Sequence, residues 1–214
     1  MLHSSVLTLA LAVSTCGYAA GPDFYKNYEE LSKAEREGVD FRVVVHQRRA
    51  PLTVMAIHGG DIEMGSSDLA ATIAGDDLSL YLFEGLKPVG NSKLHITSTH
   101  FDEPRALALF KGSPLCLSIH GFLEKTRSVV CVGGGNAALA KKMTDQLNSA
   151  AVSLGIEVES PCTRFGGDDP RNVVNRCEVP GVQLETSTAL RKRLDRDLEL
   201  RQKFAHIARK AMIE

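Results

Sequence analysis

The chain has 214 residues, of which 43% are hydrophobic and 24% charged. That balance excludes a disordered or fibrous protein and allows one sizeable globular domain. Its 25 basic and 26 acidic residues leave a formal net charge of −1, which excludes a nucleic-acid footprint spread over the whole surface and tolerates only a local basic patch.

In chain order, residues 1–20 read as a secretory leader. The run SVLTLALAVSTCGYAA carries no charge and ends in small residues, with Ala19 or Ala20 as the cleavage point. His3 is its sole basic side chain ahead of that run. The run is shorter than the ~20 residues of a membrane span, and VSTC around Cys16 is a poor lipid-attachment context. A buried first element or an uncleaved anchor is the alternative. Residues 21–214 then form a single domain. Residues 23–37 place Phe24, Tyr28, Leu31 and Ala34 at helical spacing. After them, apolar runs alternate with helical patterns. FRVVVH, TVMAIH, LSLYLF, KLHITST, LCLSIH, SVVCVGG, IEVE and GVQLETS read as strands. SSDLAATIAG, EPRALALFKG, NAALAKKMTDQLNSAAVSLG and the run from Thr188 read as helices. Ser66 or Ser67 caps the first of these, and Gly112 and Gly155 close the next two. The expected fold is α/β, a mixed and mostly parallel sheet between helices.

Residues 160–181 form the least regular stretch, of a length that often carries function. The C-terminal helix aligns Leu190, Leu194, Leu198, Ala205, Ala208 and Met212 opposite a basic face. A helix packed on the sheet explains this better than a helix lying on a membrane. Beyond the leader four cysteines remain, enough for two disulfides in three connectivities. Cys162 and Cys177 flank the irregular loop and are the favoured pair. Cys116 and Cys131, inside apolar runs, read as small core residues.

Two strands end in the same way, AIHGG at His58 and SIHG at His120, and a third carries Glu185 near its end. In open α/β sheets sites lie beyond the carboxyl ends of strands, which puts all three on one rim. Glu63, five residues past His58, can fold back through Gly59 and Gly60, glycines that leave metal and substrate room to approach. Two histidines and a glutamate with an open fourth position form a common catalytic zinc set, and a further glutamate serves as base. On the spacing alone, a pair of satisfied core histidines is an equally good reading. VVCVGGGNAALAKK, with Gly133, Gly135 and Ala138, comes close to a dinucleotide fingerprint, but any tight strand-to-helix turn favours glycine.

HGGDIEMGSSDLA, LYLFEGLKP, NSKLHITSTHFDEPRAL, LSIHG, NVVNR and GVQLETSTALR occur in one order, and together they resemble the poly-γ-glutamate hydrolase family over about residues 23–195. The resemblance implies a zinc carboxypeptidase-like fold, one zinc ion held by His58, Glu63 and His120, and Glu185 as catalytic base. It implies hydrolysis of γ-glutamyl amides by zinc-activated water, with Glu185 carrying a proton from that water to the leaving amine. The substrate is then a polyanion. Arg164, Arg171 and Arg176 are candidates to hold its carboxylates and Asn172 and Asn175 its amides, although Asp168, Asp169 and Glu178 share their loop. His95, His100, Asp102 and Glu84 fall in the matching blocks without an assigned role. A zinc peptidase or deacylase acting on cell-wall peptide or an acyl amino acid is the alternative, and a non-catalytic polyanion-binding module the third. No nucleic-acid partner and no stable membrane span are expected, and the location is extracytoplasmic.

Overall fold

The structure, a computed structural model, describes residues 23–214. The leader assigned to residues 1–20 lies outside them. Seven strands form one sheet: β1 (Phe41–His46), β2 (Leu52–Gly60), β3 (Ser79–Gly85), β4 (Leu115–Phe122), β5 (Val129–Gly133), β6 (Glu157–Glu159) and β7 (Val182–Ser187). Their spatial order is β1-β3-β2-β4-β7-β5-β6. The four central strands, β3, β2, β4 and β7, run parallel, and β1 and β5 join them antiparallel on either side. This is the expected mixed α/β architecture. The helices are α1 (Tyr28–Ala34), α2 (Ser66–Ala74), α3 (Pro104–Lys111), α4 (Ala137–Leu154), α5 (Thr188–Arg196) and α6 (Leu198–Ile213).

The central strands are apolar on both faces because both are covered. Alternation sorts their side chains into two cores. Val54, Ala56, Leu117, Ile119, Val182 and Leu184 pack with Met143, Phe204 and Ala208 of the helices on one side. Met55, Ile57, Tyr81, Phe83 and Cys116 pack with Leu31, Phe101, Phe110 and Val173 on the other. The C-terminal run is two helices, broken at Asp197, whose extended backbone and side chain cap α6 through Leu200 N. The apolar face of α6 is spent on the first core through Phe204, Ala205, Ala208, Ala211 and Met212. Leu198 falls outside that stripe and is exposed. Among the described residues no helix is long and apolar enough to cross a membrane.

Several local expectations change. The first helix is confined to Tyr28–Ala34, because Asn27 caps it through Glu30 N. KLHITST is no strand: a 3-10 turn covers Asn91–Leu94, and irregular chain follows. Buried Leu94 and Ile96 mimic strand alternation, but the Asn91 side chain bonds both the N–H and the carbonyl of Lys87 and curls the chain. At α2 the N-cap is Gly65, and Ser66 and Ser67 instead hold the preceding turn, bonding His58 O and Gly60 N. The glycine turn after β5 binds its own protein. Gly134 N donates to Gly166 O at 2.7 Å and Gly135 N to Asn175 Oδ1 at 2.9 Å, and a Cβ on Gly133 would fall 2.3 Å from Gly166 O. The space a pyrophosphate would need in a dinucleotide site is filled by the 160–181 loop.

The cysteine pairing also differs. Cys162 is bonded to Cys131 and Cys177 to Cys116, with Cα–Cα separations of 5.2 and 6.1 Å. Proximity in sequence suggested that the loop closes on itself. Instead each end is delivered to a different strand, one to β5 and one to β4, and both supposed core cysteines are partners. The loops closed span 31 and 61 residues, each adding ~4 kcal/mol of stability on the chain-entropy estimate. Peptide mapping without reduction should recover Cys116–Cys177 and Cys131–Cys162. Replacing Cys131 and Cys162 together with Ser should lower unfolding stability by about 2–4 kcal/mol, read from urea melts; recovery of a Cys162–Cys177 peptide would contradict the arrangement.

Candidate metal centre

The centre begins with an irregularity in β2. Thr53 to Ala56 pair in register with Ser79 to Leu82, but Gly59 pairs with Glu84, so β2 holds one extra residue at Ile57–His58. Strict alternation would send His58 to the side of Val54 and Ala56. The bulge turns it over, and it joins His120 on the opposite face. Re-aiming a side chain beside a site is a known use of bulges. The next turn folds back: Glu63 N donates to His58 O at 2.9 Å, and Gly121 N donates to Glu63 Oε2 at 2.7 Å. The glycines serve backbone packing rather than ligand access. A Cβ on Gly59 would lie 2.1 Å from Ser67 Oγ and 3.0 Å from Phe83 O, and Gly60 has a left-handed φ of 59° against Gly85. Asp61 faces solvent and takes no part.

His58 and His120 meet through their Nδ1 atoms at 3.2 Å. Glu63 Oε1 lies 3.1 Å from His58 Nδ1, and Oε2 lies 3.9 Å from His120 Nδ1. His58 Nε2 sits 2.8 Å from the Ile96 carbonyl, which only accepts, so Nε2 carries the hydrogen and Nδ1 of the neutral ring presents a lone pair. His120 Nε2 is 2.8 Å from Ser118 Oγ, which fixes that ring from behind. The two inner nitrogens share a hydrogen when His120 carries it on Nδ1, and converge as two ligand atoms when both are bare. The three donor atoms lie within 4.8 Å of one another, and the set of two imidazoles and one carboxylate fits zinc better than the oxygen-seeking cations. Outer partners that fix tautomer and ring orientation are typical of metal-ligating histidines.

The electrostatics agree. Burial opposes charge on His58, yet Glu63 outweighs it and the pKa is raised. Burial alone would push the Glu63 carboxyl up, but His58 and His120 hold it at about 2. Burial and the charge on His58 pull His120 down to about 3. These shifts favour one proton on His58 facing the ionised Glu63 carboxylate, with His120 neutral.

Glu185 stands on β7 directly in register with His120 on parallel β4, so both point to the same face. It is 7% exposed. Burial, then the Glu63 carboxylate, pushes its pKa well above the ordinary carboxylate range. Gln183 Nε2 donates to Glu185 Oε1 at 3.4 Å and to Phe165 O at 2.9 Å, tying the irregular loop to the strand.

The loop candidates separate. The Arg164 guanidinium lies over Phe122 at 4.7 Å, bonds Glu159 at 3.0 Å and adds its charge to the field at Glu185. Arg171 is exposed and held two-pronged by Asp169, and Arg176 is exposed at the end of a 3-10 turn. The amide of Asn172 caps that turn and bonds Gln183, while Asn175 bonds Gly167 O, Asp169 O and Gly135 N. These side chains are occupied in shaping the loop. Of the unassigned residues, His95 stacks on His58 with ring centroids 3.9 Å apart and is held by Asp23 at 2.8 Å. Asp102 accepts from Tyr28 N, Glu84 from Arg42, and His100 is exposed. Sequence reading passed over Ile96, whose backbone carries the contact, and Gln183 and Arg191. Gly121 directly after His120 was the available sign that a neighbour packs there.

The mixed α/β sheet gathers two histidines and a glutamate at its carboxyl edge, an arrangement suited to a metal-dependent hydrolase. The chain belongs to the poly-gamma-glutamate hydrolase family, whose model matches residues 25–211. It is 40% identical over 174 residues to the UPF0714 protein YndL of Bacillus subtilis (strain 168), covering 80% of this chain and 67% of that one. It is 38% identical over 173 residues to the SPbeta prophage-derived UPF0714 protein YoqZ of the same organism, covering 80% and 61%. Among solved structures, a bacteriophage poly-gamma-glutamate hydrolase matches with a TM-score of 0.80 at 36% identity, and a zinc-free apo form of YndL with 0.77 at 35%; each match covers 88% of this chain and 96% of the other.

Because the bulge aims His58, Gly59→Ala should disturb the centre from behind. The new Cβ forces Ser67 and the β3 backbone apart, costing about 1–3 kcal/mol. Chemical denaturation should register that loss, together with weakened zinc binding by the variant.

Proposed function

We propose that this chain is a zinc-dependent amidohydrolase that cleaves γ-glutamyl amide bonds of poly-γ-glutamate. The observation that carries the reading is the meeting of His58 Nδ1, His120 Nδ1 and the Glu63 carboxylate beside a buried glutamate in register with His120. His58, Glu63 and His120 would hold the ion. Zinc, when bound, supplies Lewis acidity toward water and the scissile carbonyl. Glu185 takes a proton from the attacking water at its carboxylate and passes it to the departing amine. Gln183 Nε2 donates to one of its oxygens, Oε1, at 3.4 Å. His95 and Ile96 fix His58, and Ser118 fixes His120.

Arg164, anchored over Phe122 and electrostatically coupled to Glu185, is the best-placed cation for a substrate carboxylate. Arg176, exposed on the same loop, is a steering charge, while Arg171 is engaged by Asp169. The match to a bacteriophage poly-gamma-glutamate hydrolase supports the polymer, and the zinc-free form of YndL supports the metal. Two disulfides, which persist in oxidising surroundings, support an extracytoplasmic location.

Zinc-loaded protein should shorten poly-γ-glutamate in size analysis and leave α-linked polyglutamate and muropeptide intact. Cleavage of the muropeptide alone would favour a cell-wall peptidase of the same fold. Chelation should abolish turnover and zinc should restore it. His58→Ala and His120→Ala should each lose the metal, seen by elemental analysis. Glu185→Gln should keep zinc and substrate binding while turnover falls ~10²–10⁴-fold; unchanged turnover would remove Glu185 from the chemistry, and loss of zinc would make it a ligand.

A further inference from the structure

Arg191, in the first turn of α5, is buried at 8% exposure. A guanidinium in such a place costs free energy unless its donors are met. Here they are. Nε donates to Met64 O at 2.8 Å, Nη1 donates to Thr186 O, and Nη2 reaches Thr188 Oγ1 at 3.5 Å. The plane of the group lies against Gly121, where a Cβ would fall 2.0 Å from Nη1. Met64 directly follows Glu63, Gly121 follows His120, and Thr186 follows Glu185. One side chain therefore touches the backbone next to three of the four site residues, which come from three separate segments. Gly121 is drawn in twice, since its N–H also holds Glu63. Burial lowers the Arg191 pKa, and the nearby charges of Glu63 and Glu185 compensate it only in part.

A planar fork with donors in several directions is what this junction requires. Lysine would bring a charge to it but could not span the carbonyls of Met64 and Thr186 at fixed angles. We propose that Arg191 is the positioning residue of the centre, its guanidinium locking the chain beside Glu63, His120 and Glu185 into one relative arrangement. The kinetic part of this inference rests on the hydrolytic reading above; the metal-binding part does not. Small displacements of reacting groups are costly, a misplacement of about 1 Å being enough for ~10²-fold in rate.

The test compares the full-length protein with Arg191→Lys, Arg191→Met and Gly121→Ala. The last keeps the guanidinium and only pushes it out of its seat. Each is measured for zinc affinity by chelator competition, for kcat and KM on poly-γ-glutamate, and for urea stability. Folded variants should lose at least ~10²-fold in kcat and ~10–100-fold in zinc affinity. KM should stay within about threefold, since ground-state substrate contacts are untouched. Lysine should not rescue. A purely structural arginine would lower stability and leave zinc affinity and kcat within about threefold in the folded fraction, and that result overturns the proposal, as does full rescue by lysine. If Arg191→Met fails to fold, Gly121→Ala and Arg191→Lys decide, and failure of all three to fold makes the residue structural and also overturns it. If the unsubstituted protein cleaves no polymer, the hydrolytic reading falls, while zinc affinity still decides the positioning role.

Discussion

The close approach of two buried imidazole nitrogens, His58 Nδ1 and His120 Nδ1 at 3.2 Å, is the contact on which the rest of the centre depends. Lone pairs at that distance repel unless a hydrogen or a cation lies between them, and burial withholds the water that would otherwise screen them. Every neighbouring feature answers this demand. The Ile96 carbonyl and Ser118 occupy the outer ring nitrogens, so both rings present their inner ones. Glu63 brings the negative charge that makes a cation welcome, and Gly121 N fixes that carboxylate. The β2 bulge is the backbone's share, since without it His58 would point into the opposite core.

Burying several charged groups in one place raises the question of how they are balanced. Glu63 and Glu185 disfavour each other's ionisation, and Glu185 bears the cost with a raised pKa. Arg191 adds positive charge coupled through space to both carboxylates. Charge balance and geometry are thus delivered by the same side chain.

The 160–181 loop closes the side of the centre next to β7. Two disulfides carry its ends to β4 and β5, and Cys131 is in register with Glu185 itself. Gln183 and Asn172 bind the loop to β7, and the glycines after β5 allow it to lie flush on the sheet. An irregular segment held at so many points fixes the position of Arg164, which also packs over Phe122.

Much of this was legible in the chain itself. Apolar runs alternating with helical patterns specify an α/β sheet, because each run must bury two faces or one. His58, His120 and Glu185 were placed on a common rim by the rule that parallel strands deliver their carboxyl ends together, and the order of the sequence blocks pointed to the family. Other features depend on residues distant in sequence. The disulfide partners were misread because proximity along the chain says little about which strand a loop end reaches. KLHITST looked like a strand because alternating burial of Leu94 and Ile96 is shared by any chain pressed against a core. The tautomer of His58 rests on a backbone carbonyl, which no side-chain pattern reveals. Sequence determined which groups the centre contains, since those are chemical identities. Tertiary structure alone decided which way His58 faces, what holds each ring, and that Arg191 joins three segments, because each of these is a contact between backbone positions set by the register and bulge of a folded sheet.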